Sequence, residues 1–230
     1  MAKEPGARPD ADDAVLGPPK RNLVVVGASG GEGLGQIRAL LRALPPDLDA
    51  AVLAVLHRPV DQPSQLRDVL ARASRLPVRI AVQGQPLQAG VCYIGEPAEH
   101  LTVGAGFTAV LQRDGGLPNR TIDLLFESAA AAGRSSLAAV ILAGSLSDGA
   151  HGLGAIRNAG GAALVQDPRR VQYAGMPQAA LEAAPEAEVL ASPAQIAQRL
   201  AELVGRSGLG GRPQGRSGDD SLAATLRRSR

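Results

Sequence analysis

The stretch Leu23-Val24-Val25-Val26-Gly27-Ala28-Ser29-Gly30-Gly31 decides the fold of this chain. An apolar run of strand length passes directly into a glycine turn. A helical pattern follows from about Leu34 to Leu44, where Pro45 and Pro46 stop it. A buried strand that leads through a tight turn into a helix is the first half of a β-α-β unit. The segment therefore predicts a parallel sheet with helices packed against it.

The same alternation continues along the chain. Further strands are predicted at 51–56, 138–143, 163–166 and 188–190, and further helices from Thr121, Ala150, Pro177 and Ser192. In the middle, short β-rich runs at 78–82, 91–94, 100–103 and 107–111 are separated by Gly and Pro, which indicates antiparallel hairpins. We predict an α/β fold, with a doubly wound, mostly parallel sheet, helices on both faces and a β-hairpin-rich middle segment.

Length and composition favour one domain. The 230 residues are 45% hydrophobic but only 2% aromatic, so the core is expected to consist of Ala, Val, Leu and Ile. Residues 1–20 and 205–230 are rich in Pro, Gly, Ser or Arg without periodicity. They are predicted to be disordered tails around a domain over 21–204. The formal net charge is +2 and several arginines lie in the C-terminal tail, so no nucleic-acid partner is implied.

Several classes of protein and site are disfavoured by the residues present. Cys92 is the only cysteine, which excludes an intramolecular disulfide and a cysteine-ligated metal cluster. No signal peptide is visible and no apolar run approaches ~18 residues, so we expect a cytoplasmic protein without membrane insertion. His100 and His151 lack metal-site spacing and are expected to be structural or on the surface. We expect neither a metal nor a cofactor.

Three residues with the chemistry of a hydrolase follow apolar runs. Ser29, His57 and Asp148 each come just after a predicted strand. Ligands bind outside the carboxyl ends of strands in an open parallel sheet, so these residues can meet in one crevice as nucleophile, base and orienting acid. Taken singly, Ser29 and Asp148 could be helix N-caps and His57 an ordinary partly buried histidine. Their shared position at strand ends favours the catalytic interpretation.

The glycine turn itself has two interpretations. Residues 27–31 match G-x-S-x-G, which presents a serine above a sheet, and residues 27–33 also resemble the glycine turn of nucleotide-binding reductases. A dinucleotide site usually has an acidic residue at the end of the second strand, where this chain has His57 and Arg58. Neither tyrosine is followed four residues later by lysine. A reductase is the weaker alternative, and NAD or NADP binding would test it.

Together these segments resemble the catalytic domain of the CheB chemotaxis methylesterases, over roughly residues 22–204. The strongest motifs are 26–31, 55–59 and 141–153, and the supporting motifs are 86–94, 123–126, 165–168 and 175–177. The resemblance implies that Ser29 is the nucleophile, His57 the base and Asp148 the orienting residue. It further implies hydrolysis of glutamyl methyl esters on receptors to glutamate and methanol, with glutamine deamidation as a second activity. The implied partner is a methylated receptor cytoplasmic domain or a related protein ester.

The chain also departs from the family pattern. Gly30 stands where Thr is frequent, and Ser145 replaces Met in Gly-Met-Gly, so the oxyanion hole and substrate contacts are affected. Backbone N–H groups near both residues survive these changes, which implies retained chemistry with altered selectivity. Arg120 either contacts an acidic substrate or is a solvated charge at a helix start. The first strand begins near residue 23, so no N-terminal receiver domain is expected. The alternative function is a catalytically altered CheB-like binding module in a signalling pathway.

Overall fold

The computed structural model describes residues 22–58, 64–113, 120–133 and 136–206. Within these ranges the strands are β1 (Leu23–Ser29), β2 (Ala51–His57), β3 (Val78–Ile80), β4 (Cys92–Ile94), β5 (Glu99–Gly104), β6 (Thr108–Arg113), β7 (Leu137–Ile141), β8 (Ala162–Gln166) and β9 (Glu188–Leu190). The helices are α1 (Gly30–Ala43), α2 (Leu66–Ala71), α3 (Thr121–Ala131), α4 (Ala150–Asn158), α5 (Gly175–Ala183) and α6 (Pro193–Arg206).

Seven of the described strands form one parallel sheet in the order β3-β4-β2-β1-β7-β8-β9. Alternate side chains of the central strands enter two apolar layers, as Val25 and Val26 of β1 illustrate. Helices α3, α4 and α5 cover one face, and α1, α2 and α6 cover the other. The predicted doubly wound α/β fold is confirmed.

The middle segment divides between two sheets. Strands β5 and β6 form an antiparallel hairpin, paired from Glu99↔Arg113 to Gly104↔Thr108, as the pattern predicted. Strands β3 and β4 instead extend the parallel sheet beyond β2. A short apolar run has the same local sequence pattern in a hairpin and in a parallel sheet. Long-range packing decides which strand it pairs with, so the sequence pattern does not distinguish the two arrangements.

The strand-to-helix turn is tighter than predicted. Strand β1 continues to Ser29 and α1 begins at Gly30, which adopts a left-handed φ of 71° and so reverses the chain within one residue. A Cβ on Gly33 would lie 2.8 Å from the Ala143 carbonyl oxygen, so glycine allows α1 to approach the end of β7. The first turn of α1 is thereby fixed beside the carboxyl ends of the central strands.

The ends of the predicted domain fall near the limits of the described residues. Helix α6 continues to Arg206, two residues beyond the predicted domain end at 204. The predicted N-terminal tail and the rest of the C-terminal tail lie outside the described residues. No helix in the described ranges is both long and apolar enough to span a bilayer.

Candidate active site

Ser29 ends the central strand with a hydroxyl that caps nothing. Its backbone is extended, with φ −141° and ψ 144°, and its N–H donates to the carbonyl of Ala143 at 3.1 Å. The residue occupies the N-cap position of α1, but its side chain makes no capping hydrogen bond. Ser29 therefore lies at the N-cap position, but its hydroxyl does not cap the helix.

His57 contacts Asp148 across the end of β1. The ring nitrogen Nε2 lies 2.5 Å from Asp148 Oδ2. Strand β2, which carries His57, and strand β7, which leads to Asp148, flank β1 on opposite sides. The imidazole therefore spans the carboxyl end of the strand that Ser29 completes. His57 and Ser29 are also directly paired in the β1–β2 register. With Nε2–H donating to the carboxylate, Nδ1 is the ring nitrogen left to accept a proton from Ser29.

Asp148 is oriented by the first turn of α3. Its Oδ2 accepts the N–H of Ile122 at 2.9 Å, and its Oδ1 accepts the N–H of Asp123 at 2.9 Å. The N-cap position of α4 is held instead by Gly149, at a left-handed φ of 94° and without a side-chain cap. The interpretation of Asp148 as a cap of the helix that follows it is wrong, because its carboxylate caps α3.

Asp123 completes a reciprocal arrangement that the sequence interpretation missed. Its Oδ1 accepts the N–H of Gly149 at 3.0 Å and that of Gly152 at 2.8 Å, so it caps α4 while its own N–H binds Asp148. Asp123 is 6% exposed. The sequence did contain a signal for Asp123, which lies between Ile122 and Leu125 on a helix predicted to be apolar. A carboxylate buried in this way requires hydrogen-bond partners.

Two glycines allow α3 to approach the site. A Cβ on Gly27 would overlap Ile122 Cγ2, and a Cβ on Gly149 would lie 2.6 Å from the same atom. The Ile122 side chain therefore fills the space that both glycines leave empty. This packing seats the N-terminus of α3, and with it Asp148, against the central strand.

Two backbone N–H groups near Ser29 remain available for a developing oxyanion. The N–H groups of Ser29 and Gly144 are already occupied, because they donate to the carbonyls of Ala143 and Tyr173, respectively. The N–H groups of Gly30 and Ser145 donate to no backbone carbonyl within the part of the chain that the structure describes. No described residue would lie within 4 Å of a Cβ on Gly30, so the described part of the chain leaves space beside this residue.

The far wall of the site is built around Gly144. A Cβ on Gly144 would lie 2.8 Å from Ser29 Cβ and closer still to the Met176 sulfur. The Gly144 carbonyl accepts the Met176 N–H at 2.9 Å. Glycine is needed there because Ser29 and the buried Met176 leave no room for a Cβ.

Glu32 holds the segment that leads to Met176. Its carboxylate accepts the N–H of Gln172 at 2.9 Å and that of Tyr173 at 2.8 Å. The Tyr173 carbonyl in turn accepts the N–H of Gly144. Sequence analysis did not select Glu32, whose only signal was an acidic residue in the first turn of a helix.

The remaining polar candidates lie around these groups. Arg120 is exposed at the start of α3, with Nη2 3.5 Å from Glu127 Oε1. Arg58 donates from Nη2 to the Gly95 carbonyl at 2.7 Å, and burial lowers the pKa of its guanidinium although Glu96 opposes that shift.

Neither additional histidine joins the site. His100 is buried, with Nδ1 3.1 Å from Thr121 Oγ1, and His151 is exposed in the first turn of α4. Among the described residues, no group of three His, Cys, Asp or Glu side chains is arranged to hold a metal ion.

Comparisons with known proteins agree on one family. The sequence model described as CheB methylesterase matches residues 24–200. A protein-glutamate methylesterase/protein-glutamine glutaminase of Geobacillus kaustophilus is 34% identical, over 81% of this chain and 55% of the relative. A second protein of that name, from Anaeromyxobacter dehalogenans, is 38% identical over 77% of this chain and 52% of the relative. The chain thus spans about half the length of these curated relatives.

A solved structure agrees with the fold. The crystal structure of the Thermotoga maritima CheB methylesterase catalytic domain superimposes with a TM-score of 0.73 at 27% sequence identity. The match covers 80% of this chain and 100% of that one.

Proposed function

This chain belongs to the CheB methylesterase family, and from that premise we propose that it hydrolyses glutamyl methyl esters on chemotaxis-type receptors to glutamate and methanol. The same site would deamidate glutamine side chains, since ammonia can replace methanol as the leaving group. The observation that carries the proposal is the contact between His57 and Asp148 over the end of the strand that Ser29 completes.

The first half of the reaction forms an acyl-enzyme. His57 Nδ1 takes the proton from the Ser29 hydroxyl as Oγ attacks the ester carbonyl carbon. The resulting imidazolium keeps Nε2–H on the Asp148 carboxylate, which stabilises the new charge. The bond from the carbonyl carbon to the methoxy oxygen then breaks, and the proton held by His57 passes to that oxygen. Methanol leaves, and the glutamyl group remains esterified to Ser29.

The second half releases glutamate. His57 removes a proton from water, whose oxygen attacks the acyl carbon, and Ser29 Oγ departs with the proton that His57 returns. Backbone N–H groups of Gly30 and Ser145 are the proposed donors to the negative carbonyl oxygen in both halves. Each such donor is typically worth about 3 to 4 kcal/mol of transition-state stabilisation. Their role survives the side-chain changes at both positions because it uses only the backbone.

Arg120 is the proposed contact for acidic groups on the receptor. The Arg120 side chain is about half exposed, and among the described residues its guanidinium forms a single long pair, with the exposed Glu127. Such surface pairs contribute little, so an acidic substrate group can take the place of Glu127 at small cost. The proposed location is the cytoplasm, with the methylated cytoplasmic domain of a receptor as partner.

Methanol release from a methylated receptor fragment tests the proposal. Wild type and Ser29→Ala are compared at equal concentration, with Ser147→Ala as the matched control because Ser147 is an exposed serine in the loop that leads to Asp148. We expect release by wild type and Ser147→Ala and none above background by Ser29→Ala.

Two outcomes would contradict the proposal. Release that persists in Ser29→Ala would exclude Ser29 as the nucleophile. No release by folded wild type, together with no labelling of Ser29 by a serine-directed phosphonate, would instead favour the binding-module alternative.

A further inference from the structure

Leu146 combines an unfavourable backbone with an exposed apolar side chain. It lies between Gly144 and Asp148 with a left-handed φ of 67°, a region that β-carbon sterics make rare for leucine. Its residue exposure is 69%, so burial of the side chain offers little compensation. Strain of this kind at the rim of a site is a reason to look for a function of the side chain.

The backbone of Leu146 is held by a neighbouring segment. A Cβ on Gly175 would lie 2.9 Å from Leu146 N and 3.0 Å from Leu146 O, so the two backbones are in close contact. Gly144, two residues earlier, donates its N–H to the Tyr173 carbonyl and accepts the N–H of Met176. Residues 144–146 and 173–176 therefore run side by side.

Tyr173 brings a second exposed apolar side chain to the same place. It is 50% exposed, while its backbone is fixed by Glu32 and Gly144. Among the described residues, five large hydrophobic residues are at least 40% exposed, and Leu146 and Tyr173 are the two on these adjoining segments. Gly144 links them to the nucleophile, because its Cβ position lies 2.8 Å from Ser29 Cβ.

We propose that Leu146 and Tyr173 form an apolar contact for the receptor segment that flanks the esterified glutamate. Leu146 and Tyr173 would pack against apolar side chains of that receptor segment while the ester is bound at Ser29. The contact selects an ester carried by a protein over a small free ester. Tyr is frequent at such contacts because it offers a large rigid surface with a polar tip. This inference rests on the proposed function and adds a specificity determinant to it.

A comparison of two substrates tests this contact. The quantity measured is the ratio of kcat/KM for a methylated receptor fragment to kcat/KM for p-nitrophenyl acetate. Leu146→Gly should lower this ratio about tenfold, as expected from losing one apolar side-chain contact. Tyr173→Ser should lower it in the same direction. Leu146→Gly should also unfold at the same or a higher temperature than wild type, since glycine adopts the left-handed φ freely.

Val82→Gly is the matched control. Val82 is 62% exposed and follows β3 at the far edge of the sheet, three strands away from β1. This variant should keep the wild-type ratio. A wild-type ratio in Leu146→Gly, or equal loss on both substrates, would overturn the proposed contact.

Binding separates this inference from the proposed reaction. The dissociation constant of the methylated fragment is measured with Ser29→Ala and with Ser29→Ala/Leu146→Gly. Weaker binding by the double variant supports the contact even if wild type releases no methanol, an outcome that rejects only the hydrolysis. Equal binding by the two variants rejects the contact even if wild type hydrolyses the fragment.

Discussion

Asp148 and Asp123 each cap the helix to which the other is attached. Asp148, just before α4, accepts the Asp123 N–H in the first turn of α3, and Asp123 accepts the N–H of Gly149 at the start of α4. Only Asp148 also contacts His57. The orienting residue of the proposed triad is thus fixed by a second carboxylate that does not touch the imidazole.

Removing the Asp123 carboxylate should weaken both the fold and the site. Asp123→Ala leaves two buried N–H groups without an acceptor, which should lower the free energy of unfolding by about 2 to 4 kcal/mol. Asp123→Asn retains Oδ1 as an acceptor, and losing its charge near the α4 N-terminus should cost about 1 kcal/mol. Urea unfolding of both variants gives these values.

The control for Asp123 is Asp68→Ala, which removes an exposed carboxylate paired with Arg67 and should leave stability close to wild type. Equal stability of Asp123→Ala and wild type would contradict the reciprocal capping. Methanol release by Asp123→Ala should fall as well, because Gly149 and the adjoining Asp148 lose their support.

Asp148→Asn should impair the reaction far more than the fold. An amide side chain presents an NH₂ group to at least one of the three N–H donors that now face the carboxylate, from His57, Ile122 and Asp123. With the NH₂ group towards His57 the imidazole loses its preferred tautomer, and in either orientation it loses the charge that stabilises imidazolium. We expect kcat for the methylated fragment to fall about a thousandfold to ten-thousandfold, the scale of such changes in other triads. A loss below tenfold would remove Asp148 from the mechanism.

Gly27→Ala should displace Ile122. The added methyl group would overlap Ile122 Cγ2, so Ile122 and the start of α3 must shift, at a cost of about 1 to 3 kcal/mol. Combining it with Ile122→Ala makes room for the methyl group, so the double variant should lose less stability than the sum of the single losses. Thermal or urea unfolding of this double-mutant cycle measures the coupling.

Gly31→Ala controls for the loss of a glycine near the same turn. None of the residues that the structure describes lies within 4 Å of its Cβ position, and Gly31 lies within α1, so this variant should be as stable as wild type or more so. Strict additivity in the Gly27 cycle would show that Ile122 does not limit the space.

Cys92 should be unreactive while the protein is folded. Complete burial raises the pKa of its thiol from 9.0 to about 12, so thiolate is scarce at pH 8. Ellman's reagent at pH 8 should label the chain only after denaturation, and fast labelling of the native chain would contradict this burial. Because the pKa is raised on folding, this thiol leaves stability unchanged below pH 9. It reduces stability as the pH rises from 9 towards 12, where the unfolded chain ionises first.

The sequence predicted the parts of the site that follow from local pattern. Apolar runs locate the strand ends, and the carboxyl ends of parallel strands share one edge, so the meeting of His57 and Asp148 was foreseeable. The catalytic roles of Ser29, His57 and Asp148 remain predictions. The order β3-β4-β2 was not foreseeable, because short strands acquire their partners only through tertiary packing.

The supporting contacts were hidden for a different reason. Asp123 and Glu32 act on N–H groups that lie 26 and 140 residues away in the chain, at Gly149 and Gln172. The spacing of residues along the sequence does not predict hydrogen bonds between such distant positions. The left-handed φ of Leu146 was equally hidden, since leucine has no preference for that region.

The central position of β1 has a consequence for the order in which activity and structure arise during folding. Its partner on one side begins at Ala51, but its partner on the other side begins at Leu137, so the second pairing closes a much longer loop. Long-range parallel pairing is slow, because chain entropy is lost before the stabilising contacts form. His57 can reach Asp148 only after both pairings exist. A nascent or partly refolded chain that already has its helices and the β1–β2 pair would therefore hold Ser29 beside His57, the proposed nucleophile and base, but would lack the contact of His57 with Asp148.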